Sequence, residues 1–148
     1  MKIAIGCDHG GVNLKSDIIE LLNNRGIEVI DFGTDGDASV DYPDFAYKVA
    51  KCVANHQADK GILMCGTGIG ISIAANKVKG IRCAVCHNEF TAQMCAEHNN
   101  ANIIALGGRI VSNELAVKMI AKWLDTDFAG GRHSNRVNKI MEIQDSEV

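Results

Sequence analysis

The chain has 148 residues, 47% hydrophobic and 22% charged, which suits one soluble globular domain, residues 1–148, with a full core. Fifteen basic residues against eighteen acidic ones leave a net charge of −3, which argues against a general nucleic-acid binder. No apolar run approaches membrane-spanning length, so no membrane partner is expected.

Lys2–Cys7 is a short apolar run and reads as the first strand. It has neither a signal-length apolar region nor a cleavage site, so a cytoplasmic protein with six free thiols is expected. Asp8-His9-Gly10-Gly11 is a turn. Leu14, Ile18, Leu21 and Leu22 then fall at helical spacing, with a stop at Gly26. Glu28–Phe32 is a second strand, and residues 33–44 read as a polar loop containing Tyr42. Pro43, the one proline, sits where a helix starts, and Phe45, Val49 and Val53 mark that helix's buried face. Lys60–Met64 is strand three. Ile71, Ala74, Ala75 and Val78 suggest a helix after it. Ile81–Cys86 is strand four, Glu89–Glu97 a helix, and Asn102–Leu106 strand five. A helix capped near Ser112 follows, with Val117, Ile120 and Leu124 inward. After Gly130-Gly131 a last amphipathic helix, roughly residues 134–143, carries Val137, Ile140 and Met141.

Strands alternating with helices predict an α/β fold: a doubly wound, five-stranded, mainly parallel sheet, plus a C-terminal helix. Ligands bind beyond the C-terminal ends of such strands. Strand three ends at Cys65 and breaks into glycines at 66, 68 and 70 before apolar residues resume. Strand, glycine turn and helix start together make an anion site: glycines permit close approach, and free N–H groups face the ligand. A thiol facing those groups is stabilised as a thiolate, so the loop offers an anion cradle with a base or nucleophile at its rim. It lacks the Gly-Lys-Ser/Thr ending of a phosphate loop, so a nucleotide site is not favoured. Cys83 and Cys86 have a Cys-x-x-Cys spacing, but three positions apart on a strand they face opposite sides, which disfavours shared metal or redox chemistry. Taken alone, Asp8 and His9 read about equally well as a helix cap with an exposed turn histidine or as part of a site, and a position beside strand three tips them toward the site. His98 and Asn99 read as a helix C-terminus. Arg132, His133 and Arg136 read either as a solvated face or, with arginines four apart, as a phosphate site.

Together, Gly6-Cys-Asp-His9, Asp41-Tyr-Pro43, Cys65-Gly-Thr-Gly-Ile-Gly-Ile-Ser-Ile-Ala-Ala-Asn-Lys77, His98-Asn99 and Gly130-Gly-Arg-His133 resemble the B-type ribose-5-phosphate isomerases. That family also contains the galactose-6-phosphate isomerase subunits. The resemblance runs from Lys2 to about Ile143. It implies a Rossmann-like (flavodoxin-like) sheet and metal-free interconversion of ribose 5-phosphate and ribulose 5-phosphate with no cofactor. It also implies a homodimer or dimer of dimers with shared sites. By the same resemblance, Cys65 is the base and Gly66, Thr67, Gly68, Ile69 and Gly70 cradle the enediolate. His98 helps open the sugar ring with Thr67 assisting. Asp8, His9 and Tyr42 contact substrate, while Asn99, Arg109, Arg132 and Arg136 bind hydroxyls and phosphate. Members without the cysteine use a glutamate where this chain has Ile71, so the chain resembles the cysteine type. Three other readings stand beside it: an isomerase of galactose 6-phosphate or allose 6-phosphate, a non-catalytic phospho-ligand sensor, and a thiol-redox protein. A receiver-type sensor needs an acidic cluster and a phosphoacceptor aspartate at strand ends, and strand three ends in Cys65, which counts against the sensor; the Cys-x-x-Cys context counts against the redox protein.

Overall fold

A computed structural model describes residues 1–147. The elements run β1 (Lys2–Cys7), α1 (Val12–Asn24), β2 (Glu28–Asp31), α2 (Tyr42–Ala54), β3 (Lys60–Cys65) and α3 (Ile69–Ala75). They continue β4 (Cys83–Val85), α4 (Glu89–Glu97), β5 (Ile103–Gly107), α5 (Asn113–Leu124) and α6 (Arg132–Ser146). The five strands pair in parallel in the order β2-β1-β3-β5-β4. The expected doubly wound sheet is present; relative to the flavodoxin order the last two strands are exchanged, because β5 inserts between β3 and β4.

Alternation along the strands builds two cores. Ile3, Ile5, Cys7, Ile62, Met64, Ile104 and Leu106 face α1, α4 and α5, while Ala4, Leu63, Cys65, Ile103 and Ala105 face α2 and α3. The second face uses small residues so that α2 can approach closely. A Cβ on Gly61 would stand 2.8 Å from the Val49 side chain, and one on Gly6 2.9 Å. Cys83 and Cys86 lie in opposite cores, as their spacing predicts, and all six cysteines are free.

Several boundaries differ from the sequence reading. Helix α2 starts at Tyr42, one residue before Pro43, because a proline in the first turn has no N–H to lose. Strand β4 is shorter than 81–86, since the Ile81 N–H turns back to the Val78 carbonyl, and α3 stops at Ala75. Helix α5 buries Ala116, Met119, Ile120 and Trp123; Val117 and Leu124 are only half-buried, because the inward stripe is centred one residue earlier. Helix α6 begins at Arg132 and buries Val137 alone, leaving Ile140 and Ile143 exposed.

Candidate active site

The chain leaves β1 toward opposite sides of the sheet for β2 and β3, so a crevice opens between the C-terminal ends of β1 and β3. Cys65, only 4% exposed, ends β3 there. Its Sγ accepts a hydrogen bond from the Gly68 N–H at 3.1 Å. Gly68 has φ 80°, and a Cβ on it would stand 2.9 Å from the Leu106 carbonyl carbon, so glycine alone suits the position. The N–H groups of Gly66, Thr67 and Gly70 enter no hydrogen bond with other described residues and rim the start of α3. The Ile69 N–H is taken by Thr67 Oγ1 at 3.2 Å.

Glycines also let side chains lie flat on this loop. A Cβ on Gly66 would stand 2.9 Å from Arg109 Nη1, and one on Gly70 2.6 Å from the Tyr42 ring. The Arg109 N–H donates to the Gly66 carbonyl at 3.0 Å, and the Gly108 N–H to the Cys65 carbonyl at 2.8 Å. Across the crevice, buried Asp8 accepts from the Gly10 N–H at 2.8 Å. His9 Nδ1 accepts from the Val40 N–H at 3.2 Å. Thus Asp8, His9, Tyr42, Cys65, the 66–70 loop and Arg109 share one edge of the sheet.

His98, Asn99, Arg132 and Arg136 do not join them. Helix α4 leaves the C-terminal end of β4 and returns about 13 Å to the start of β5, placing its C-cap, His98, at the opposite end of the sheet. The His98 and His133 rings stack 4.2 Å apart at 12°. His98 Nε2 lies 3.2 Å from Glu97 Oε2, and the Ala129 N–H donates to the Glu97 carbonyl at 3.0 Å. Desolvation, then the positive charges of His98, Arg132 and Arg136, hold His133 below the ordinary histidine range. Arg132 and Arg136 stand one turn apart at the start of α6, which is the spacing the sequence predicts. Among the described residues, no group of three His, Cys, Asp or Glu side chains is disposed to hold a metal ion.

Lys15 and Val40 are not among the residues that the sequence singles out. Lys15 falls on the α1 stripe of Ile18 and Leu22, a signal that was available. Val40 meets His9 through its backbone N–H, and its side chain gives no such signal.

Fold and crevice define a doubly wound α/β protein with a cysteine and unengaged loop N–H groups at its switch point. The chain belongs to the ribose/galactose isomerase family, whose sequence model, described as Ribose/Galactose Isomerase, matches residues 3–140. It is 50% identical to ribose-5-phosphate isomerase B of Escherichia coli (strain K12), over 97% of this chain and 96% of that one. Ribose-5-phosphate isomerase B of Clostridium thermocellum superposes with a TM-score of 0.98 at 58% identity, covering 100% of both chains. Ribose-5-phosphate isomerase B of Mycoplasma genitalium, solved with bound ribulose-5-phosphate, gives 0.93 at 42% identity over 99% of this chain and 97% of that one. No described helix is long and apolar enough to cross a membrane.

Proposed function

We propose that this chain is an aldose–ketose isomerase that interconverts ribose 5-phosphate and ribulose 5-phosphate by proton transfer. The observation that carries the reading is the buried Cys65 sulfur, 3.1 Å from the Gly68 nitrogen at the mouth of the glycine loop. A thiolate there takes the proton from C2 of the open-chain aldose. The C–H electron pair becomes the C1=C2 bond, and the carbonyl pair moves onto O1. The unengaged N–H groups of the 66–70 loop, those of Gly66, Thr67 and Gly70, stabilise that enediolate oxygen. The proton then returns to C1, the O2 proton passes to O1, and C2 becomes the carbonyl. Family membership and the ribulose-5-phosphate bound by the Mycoplasma relative support this substrate. Ile71, where cysteine-lacking members carry a glutamate, is an apolar side chain buried in the core, which supports Cys65 as the base.

Asp8, His9, Tyr42 and Arg109 would hold the sugar beside Cys65 and Thr67. His98 would assist ring opening, with Asn99, Arg132 and Arg136 taking hydroxyls and phosphate. Those four groups stand at the far end of the same chain's sheet. A two-fold pair of chains, each presenting its His98 end to the other's Cys65 end, brings both sets to one substrate. The expected assembly is therefore a homodimer with shared sites. In a coupled assay run in D2O, turnover of ribose 5-phosphate with solvent deuterium in the product is expected. Turnover only of six-carbon phosphates, or complete absence of solvent label together with inhibition by chelator, would overturn the reading.

A further inference from the structure

Lys15 is the one buried lysine among the described residues. Its Nζ donates to the Thr34 carbonyl at 2.8 Å, lies 2.9 Å from Asp31 Oδ2, and pairs with Asp35. Burial alone would lower this lysine, but the bonds to Asp35 and Asp31 hold it above the ordinary lysine range. A second tie meets the same carbonyl: burial pushes the Cys7 thiol up to about 11, so it stays protonated and donates to Thr34 O at 3.4 Å. The Thr34 N–H in turn donates to the Cys7 carbonyl at 2.7 Å.

Beyond this knot, residues 36–39 are exposed and make no hydrogen bond with other described residues. The loop re-engages at Val40, whose N–H donates to His9 Nδ1. Two residues later Tyr42 opens α2 with its ring against Gly70. The loop therefore has one fixed root and one functional tip. The root is tied by a side chain that does not itself reach the crevice.

We propose that Lys15 is a positioning residue for His9: by pinning the root of the 34–41 loop it keeps Val40 on Nδ1, so that Nε2 carries the proton offered to the sugar phosphate. The inference rests on the function proposed above for its consequence in turnover, but not for its effect on His9. A neutral imidazole has one donor and one acceptor nitrogen, and the bond at one nitrogen selects the other. Without the tether, a five-residue exposed span leaves Val40 free to drift, and both tautomers become populated. Misplacement of about 1 Å far from the chemistry can lower a rate by about 100-fold.

The test uses the full chain labelled with 15N-histidine. Imidazole 15N shifts, melting temperature, kcat and KM are measured for the native protein, Lys15→Met and Lys15→Arg. Asp31 and Asp35 are 33% and 85% exposed, so Lys15→Met strands no buried carboxylate. The expected result is a single Nε2–H signature for His9 in the native protein, mixed tautomers in Lys15→Met, and partial restoration in Lys15→Arg. The fall in kcat/KM is about 10- to 100-fold, while the His98 signals are unchanged. Should Lys15→Met fail to fold, Asp35→Asn loosens the same root from an exposed side chain and shifts His9 in the same sense. A folded Lys15→Met with an intact His9 signature overturns the proposal, whether or not its activity falls. A native protein inert toward ribose 5-phosphate overturns the proposed function instead, and the His9 comparison still decides the role of Lys15.

Discussion

At the C-terminal end of the strands the candidate catalytic groups are held by backbone, whereas at the N-terminal end the candidate phosphate and ring-opening groups are held mainly by one another. Cys65 is fixed by the Gly68 N–H and Asp8 by the Gly10 N–H, and the Arg109 backbone is tied to Gly66. Each lies on or beside a strand buried in the sheet. His98 rests on His133 and Glu97, and Arg132 and Arg136 project from a helix with one buried residue. The difference teaches where pre-organisation is placed. The candidate groups for developing charge are tied to the chain's own backbone, as an oxyanion cradle requires. The candidate phosphate groups sit on a helix with Ile140 46% and Ile143 64% exposed, a surface that a second chain would cover and stiffen.

The sharpest way to break this comparison is to remove the rigid end's base. Cys65→Ala is expected to lower kcat by about 10²- to 10⁴-fold while sugar-phosphate affinity by calorimetry stays near native. Near-normal kcat would end the assignment. Cys7, Cys52, Cys83, Cys86 and Cys95 are expected to be dispensable for turnover by comparison. At the other end, Arg132→Ala and Arg136→Ala should each raise KM by about 10- to 100-fold, the worth of a charge-assisted hydrogen bond. They should also lower kcat, because phosphate binding energy is used at the reacting carbons. Steady-state kinetics with ribose beside ribose 5-phosphate checks this, since ribose is expected to be a very poor substrate for the native enzyme.

The rigid end was legible in sequence because its chemistry is backbone chemistry. Glycines at 66, 68 and 70 after an apolar run state the turn, and Cys65 stands at its mouth. The split between the ends was harder to see. His98-Asn99 reads as an ordinary helix C-terminus, and only the return of α4 to the start of β5 places it away from Cys65. Lys15 falls on the buried stripe of α1, but its partners Asp31, Thr34 and Asp35 meet it only once β2 and its loop are folded against the helix. Trp123 and Met119 went unread because three-residue and four-residue spacings both fit the α5 pattern.

Two smaller effects sharpen the comparison. Ile140→Glu places a charge on the exposed stripe of α6 and should weaken self-association by about tenfold or more, equivalent to about 1.4 kcal/mol. Sedimentation at several concentrations reads it, and an unchanged profile would mean the stripe is not at the interface. Asp125→Asn should cost stability at neutral pH by only about 0.2–1 kcal/mol, because its pair with Arg25 is largely exposed. The Arg25 hydrogen bond holds the Asp125 carboxyl below its ordinary value. That stability is present above the unfolded pKa and lost as pH falls through the folded one, so native and variant melting temperatures should converge in acid. Its kcat should match the native value.

The central claim is that one active site needs both ends, from two chains. Cys65→Ala and Arg132→Ala, each nearly inactive alone, are unfolded together in equal amounts and refolded. Half of the resulting dimers are mixed, each with one intact site and one doubly damaged site, so activity should recover to roughly a quarter of native. His98→Ala in place of Arg132→Ala should behave alike, whereas Arg109→Ala, on the Cys65 edge, should give no recovery. A monomer by sedimentation with full native turnover, and no pair that complements, would contradict the account.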